Sequence, residues 1–140
     1  MLELVNFESG HILEVETDFD FPTSARKSIS EHSLIDGYSL KNGETIVACA
    51  GVSIMWKGVA EGWLIMSRHA YKYPVSIARY TEGLFDGIME RNELRRIQAS
   101  VNCNDVKSVK FADWLGFEYE GIMKKFGPDG ADYFRYARVA

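Results

Sequence analysis

Cysteine is nearly absent from this chain. Cys49 and Cys103 are the only two in 140 residues, too few for a disulfide framework and without the CxxC spacing of redox or zinc sites. Cys49 lies in an apolar run and reads as a small buried hydrophobe. The histidines are also few. His11, His32 and His69 stand far apart, with neither HxH nor HExxH spacing, so no metal site is expected. Positive charge is in deficit: 16 Lys and Arg against 20 Asp and Glu leave a net charge of −4. A nucleic-acid partner, which needs a clustered basic face, is therefore not expected. Arg91, Arg95 and Arg96 form the only dense basic group and read as a solvated helix end, and Lys124-Lys125 reads as an exposed pair. No apolar run has the length of a membrane span, so no membrane partner is expected. Residues 1–16 carry Glu3, Glu8, Glu14 and Glu16 and lack a basic start, unlike a secretory leader. A reducing cytoplasm is the expected location. Internal repeats, low-complexity tracts, GxSxG, a Walker loop and a dinucleotide fingerprint are all missing.

What remains is ordinary globular material. Hydrophobic residues make up 46% and charged residues 26%, so one domain spanning residues 1–140 can bury a real core. Leu2–Asn6 reads as a short strand, and residues 11–15 as a helical turn or a loop. Phe19 and Phe21 anchor a loop or line a pocket, and residues 24–33 suit a short helix with Arg26, Lys27 and Glu31 on its polar face. Residues 37–40, Thr45–Trp56 and Val59–Met66 then alternate as strands. Tight turns at Lys41-Asn42-Gly43 and Lys57-Gly58 make them an antiparallel meander. Pro74 suits the first position of a helix, since its missing amide would go unpaired there anyway. Ile77, Thr81, Leu84, Phe85 and Ile88 lie along one face of that helix, which runs to about Arg91. A return to strand at residues 96–101 implies a right-handed crossover and a parallel pair. Residues 119–126 and 132–139 form a closing hairpin around Gly127-Pro128-Asp129-Gly130. Trp56, Trp63 and Trp114 read as core or semi-buried packing.

The densest signal lies in residues 98–121. The strand breaks at the asparagines 102 and 104, and Val106, Val109, Ala112 and Leu115 recur on one helical stripe. Asn104 or Asp105 suits the N-cap, Gly116 the left-handed end, and Phe117 the contact that folds back onto the last turn. Asn104, Ser108-Val109, Leu115-Gly116-Phe117 and Glu120-Gly121, in this order, resemble the C-terminal signature of the GNAT acyltransferase superfamily. The resemblance implies an α/β fold with a mixed, mostly antiparallel twisted sheet of six or seven strands, about four helices and a splayed central parallel strand pair. It also implies an acyl-CoA-dependent N-acyltransferase, with acetyl-CoA or another acyl-CoA as co-substrate. The amine acceptor, a small molecule or a protein, is unknown, and attack is direct in a ternary complex. The chain is expected to be a monomer or a homodimer.

In that superfamily the acyl-CoA arm pairs with the strand that here ends in Leu64, Ile65 and Met66, with the backbones of Ile65 and Met66 as the expected contacts. The pyrophosphate binds the loop and helix start that follow, through backbone N–H groups and the helix dipole. The family pattern Gln/Arg-x-x-Gly-x-Gly/Ala falls on Tyr71, Pro74 and Ser76, and this chain departs from it at all three. Pro74 has no N–H to give. Ser76 offers a hydroxyl, and Arg68, His69, Lys72 and Arg79 offer positive charge; the same residues also fit an ordinary solvated helix cap. Asn104 and Ser108 are expected beside the cofactor arm. Many members carry a tyrosine acid four residues after the signature serine, where this chain has Ala112, leaving Tyr119, Tyr133 or Tyr136 as substitutes. Glu61 is the expected general base, in a partly apolar cleft beside Trp63; the position also fits a solvent-facing acid. The degenerate loop and missing tyrosine leave an alternative, a GNAT-fold structural or binding protein without catalysis. A looser resemblance, in the Gly-free loop and the Gly-Pro-Asp-Gly-Ala-Asp-Tyr hairpin, is to GNAT-like proteins of phages and prophages, some of which look like virion or morphogenesis components.

Overall fold

The computed structural model of the chain describes residues 2–8, 10–15 and 35–140. The helix expected at 24–33, the aromatic pair Phe19 and Phe21, and His32 lie outside the described residues. Among the described residues, seven strands form one sheet in the order β1-β2-β3-β4-β5-β7-β6. They are β1 (Leu2–Asn6), β2 (Ile35–Asn42), β3 (Thr45–Trp56), β4 (Val59–Met66), β5 (Arg96–Asn102), β6 (Glu118–Met123) and β7 (Tyr133–Val139). The helices are the single turn α1 (His11–Glu14), α2 (Pro74–Arg91) and α3 (Val106–Trp114), with a 3-10 turn at Ala70–Lys72. All neighbouring strands are antiparallel except β4 and β5, which the α2 crossover makes parallel.

Sequence explains most of these boundaries. Pro74 opens α2 at its first position. Of the two cap candidates, Asp105 is the one used: its carboxylate accepts from the Ser108 amide, 3.2 Å away. Gly116, at φ +84°, ends α3, and the Phe117 amide donates back to the Ala112 carbonyl. β2 runs to Asn42, so its turn falls on Gly43 and Glu44, slightly later than the expected Lys41-Asn42-Gly43. β6 stops at Met123 rather than at residue 126, because the Asp132 carboxylate accepts from the Lys125 amide and diverts the chain.

Side chains divide by strand parity between two faces. Val52, Ala60, Ile97, Val101 and Tyr136 pack under α2 and α3, against Phe85, Ile88, Ala112 and Phe117. On the other face Cys49, Trp63 and Ile65 pack under α1, against Ile12 and Val15. The Trp63 ring lies over the paired glycines Gly37 and Gly51, and its indole N–H donates to Ser53 Oγ at 3.3 Å. A methyl group on Gly51 would come within 2.5 Å of the Asp36 carbonyl oxygen, so the two backbones approach this closely only through glycine. Trp63 is core, as expected, whereas Trp56 and Trp114 are 59% and 52% exposed. Both lie at element ends, with little chain above them to cover an indole.

Arg91 ends α2 and is 45% exposed, as expected of a solvated helix end, but the three arginines are also paired. Arg91 grips Asp36 through Nε and Nη2 at 2.7 and 2.9 Å, and Asn92 adds a third bond to the same carboxylate. Arg95 donates to the Lys57 carbonyl, and Arg96 pairs with Glu120 on β6. Each arginine ties a separate strand or turn to the crossover, which a charge count along the chain cannot reveal.

Candidate functional site between the diverging strands

β4 and β5 pair at only three register positions, Val59↔Arg96, Ala60↔Ile97 and Glu61↔Gln98. Beyond them β4 stays paired with β3 as far as Met66, and β5 stays paired with β7 as far as Asn102. The sheet therefore opens into a fork whose crotch is at Glu61 and Gln98.

Backbone alternation determines which groups line the gap. The Ser67 amide donates to the Val47 carbonyl on β3, and the Gly58 carbonyl accepts from Arg96 on β5. Successive residues alternate sides, so odd-numbered residues of β4 turn their backbone groups toward β3 and even-numbered ones toward β5. Leu64 and Met66 thus present N–H and C=O to the gap, whereas Ile65 faces Cys49 on β3. Of the expected pair Ile65 and Met66, only Met66 can offer its backbone, and Leu64 takes the place of Ile65. The Ile65 side chain is buried with Trp63, and that of Leu64 lines an apolar recess beneath Ile77 and Thr81 of α2.

Past β4 the loop uses much of its own backbone. The amides of Ala70, Lys72 and Tyr73 donate to the carbonyls of Ser67, His69 and Ala70, and the His69 amide donates to Ser67 Oγ. Tyr71 lies within this 3-10 turn. No described residue accepts from the amides of Val75 and Ser76, which sit at the positive end of the 18-residue α2. Arg68 and Lys72 are exposed at the same end. Because β4 and β5 are parallel, Asn102, Asn104 and the start of α3 reach this same edge of the sheet from the other prong. Asn104 is exposed, and its amide donates to Asn102 Oδ1. The Ser108 hydroxyl donates to Asp105 at 2.6 Å, so it is engaged in the cap.

Glu61 stands in the crotch, on the face away from α2. Its Oε1 accepts from Ser100 Oγ at 3.2 Å, and both its oxygens lie 3.2 Å from Arg135 Nη1. The partly apolar surroundings expected for Glu61 are replaced by a guanidinium and a hydroxyl. Arg135 and Ser100 are the residues that sequence reasoning missed. The available signal was Arg135 between Phe134 and Tyr136 in the strand YFRYARV, where charge needs a partner. Alongside, Arg96 holds Glu120 in a two-point pair at 3.0 and 2.6 Å, and that hydrogen bond lowers the Glu120 carboxyl below its ordinary value.

The three candidate tyrosines separate cleanly. Tyr136 is buried in the core under the helices, and Tyr119 stacks edge-on against it. Tyr133 begins β7 opposite Asn102, at the open end of the fork. Burial and the nearby Asp129 raise its phenol, so it holds its proton through neutral pH. Among the described residues no three His, Cys, Asp or Glu side chains are grouped to hold a metal ion. Among the same residues, no helix is long and apolar enough to cross a membrane.

No protein-family profile matches the chain, and no curated protein matches it. Solved structures do. A spermidine N-acetyltransferase chimera from Vibrio cholerae and hSSAT superposes with a TM-score of 0.75 at 15% identity, over 99% of this chain and 95% of that one. The fold is that of the GNAT acetyltransferases. The ribosomal-protein-S5-alanine acetyltransferase of Vibrio fischeri gives 0.71 at 16% identity, over 99% and 92% of the two chains. A GNAT-family acetyltransferase of Bacillus anthracis gives 0.69 at 16%, over 99% and 94%. The expected architecture, including the mixed sheet and its splayed parallel pair, is the observed one.

Proposed function

We propose that the chain is an acyl-CoA-dependent N-acyltransferase, with acetyl-CoA as the expected donor. The observation that carries this reading is the fork: a strand edge with unpaired backbone groups at Leu64 and Met66, leading directly to an open helix N-terminus. Such an edge takes an extended amide-bearing chain as an added strand, and the free amides of Val75 and Ser76, with the charges of Arg68 and Lys72, suit a phosphate group. Acyl-CoA would bring both features and a thioester reactive toward amines. Leu64 and Met66 would hold its arm and orient the carbonyl. Glu61, fixed by Ser100 and Arg135, would collect the proton of the incoming amine, directly or through water. Tyr133 would return a proton to the departing sulfur. Asn104 would stand at the opposite lip of the gap.

Calorimetry with acetyl-CoA tests the reading. Saturation at about 100 times the dissociation constant should add roughly 2.7 kcal/mol of stability. Glu61→Gln should lower turnover at least tenfold while leaving acetyl-CoA affinity within about twofold, since its carboxylate serves the acceptor. An unchanged rate would remove Glu61 from this role.

One observation favours a second reading. The 3-10 turn consumes loop amides that a phosphate site would use, and Pro74 supplies none. A GNAT-fold binding module, of the class that the phage-protein resemblance implies, would show no response to acetyl-CoA or to longer acyl-CoAs.

A further inference from the structure

Arg135 has unused capacity at the place where the acceptor must arrive. Its Nη1 serves both oxygens of Glu61 at 3.2 Å, while among the described residues its Nη2 meets only the Met123 sulfur, at 3.6 Å, and none accepts from its Nε. A guanidinium has five donors in a planar fork that suits a carboxylate at two points. The side chains of Glu61 and Arg135 remain 34% and 22% exposed, so an incoming molecule can reach both. Among the described residues the two carboxylates at the crotch are both matched, Glu61 by Arg135 and Glu120 by Arg96. A polycationic acceptor finds no unmatched carboxylate in these two pairs. A molecule bearing one positive and one negative group, about as close together as the two side chains, can exchange partners with the pair at no net charge cost.

We propose that the acceptor is an α-amino acid, bound with its amino group at Glu61 and its carboxylate on the free edge of Arg135. This rests on the transferase reading. The ammonium gives one proton to Glu61 or its water, and the freed amine forms an N–C bond to the acyl carbonyl as the C–S bond breaks. The nitrogen then loses a second proton. One of the two protons reaches the sulfur, giving free thiol, and the other goes to solvent, so an N-acyl amino acid, CoA and one proton leave.

The test compares glycine, ethylamine and spermidine as acceptors, by thiol release with acetyl-CoA and by calorimetry with and without CoA. Glycine should bind and turn over at least tenfold more efficiently than ethylamine or spermidine, the scale of one charge-assisted pair. Arg135→Gln should raise the KM for glycine roughly tenfold to a hundredfold, erase its advantage over ethylamine, and leave the KM for acetyl-CoA unchanged. Arg135→Lys, which keeps the charge but not the planar fork, should keep part of the preference and guards against a loss caused by misfolding alone. Because Arg135 also holds Glu61, some loss common to all three acceptors is expected; equal use of ethylamine or spermidine, or an Arg135→Gln loss no larger for glycine than for the other two, overturns the proposal while leaving the transferase reading intact. Glycine binding without any response to acetyl-CoA instead overturns the transferase reading.

Discussion

Gly62 decides how tightly the fork is joined, and that can be measured. It follows Glu61 on β4 and faces α2. A methyl group added there would lie 2.8 Å from Ile97 Cγ2 and 3.8 Å from Phe85 Cε1. Ile97 is fully buried on β5 and pairs beside Ala60, so it has no room to withdraw. Gly62→Ala should therefore force either an off-rotamer Ile97 or a wider crotch. Overpacking of this kind costs about 1–3 kcal/mol, or a fall of roughly 3–10 °C in Tm for a chain of this size. Ile97→Leu supplies the control, because leucine has no Cγ2 methyl. Combined with Gly62→Ala it should recover much of the loss, with a coupling of about 1 kcal/mol or more in a urea-denaturation cycle. Strict additivity of the two changes would mean that Ile97 does not occupy that space, and the tight junction placing Glu61 beside Ser100 and Arg135 would need another cause.

Leu64→Pro removes an amide that faces the gap and should weaken acetyl-CoA binding about fivefold in calorimetry, the worth of one backbone hydrogen bond. Ile65→Pro removes one that faces β3 and should instead cost about 3 kcal/mol in urea denaturation; equal destabilisation by both would refute the backbone alternation argued for β4. Tyr133→Phe should lower turnover several-fold without changing acetyl-CoA affinity, and an unchanged rate would leave sulfur protonation to water. At Asp36, burial alone would raise the carboxyl, but the hydrogen bonds from Arg91 and Asn92, with the Arg91 charge, hold it below its ordinary value. A depressed carboxyl stabilises the fold above its unfolded pKa, near 3.9, and that contribution is lost as pH falls through the folded value. Asp36→Asn should thus cost about 1 kcal/mol at pH 7, discounted because Arg91 is 45% exposed. The difference from the unaltered protein should close below about pH 4.

The order of elements was legible because most of their boundaries have a local cause. Pro74 suits the first turn of a helix but not its interior, Gly116 can end one without strain, and the turns at Gly43 and Gly58 adopt positive φ. The burial of Trp63 and the exposure of Trp56 were not separable in the sequence, since both stand in β-rich runs with similar neighbours. What distinguishes them is the pair Gly37 and Gly51, which makes room for one indole only because the register of β2, β3 and β4 sets both glycines beside Trp63.

The site was only half legible, for a related reason. Glu61 could be picked out because the family resemblance implies a glutamate at this level of the strand, but its surroundings are set by Arg135, 74 residues later. That contact exists because β7 inserts between β5 and β6, bringing Arg135 opposite Ser100 across from Glu61. No period along the sequence encodes such a meeting. The same limit applied to the gap itself. A strand pattern says which side chains share a face, but which backbone groups face the gap depends on the register of β3 against β4. A shift of one residue would have exchanged the roles of Leu64 and Ile65. The local signals thus fix where a forked strand pair can form, and long-range register decides which atoms it offers to a ligand.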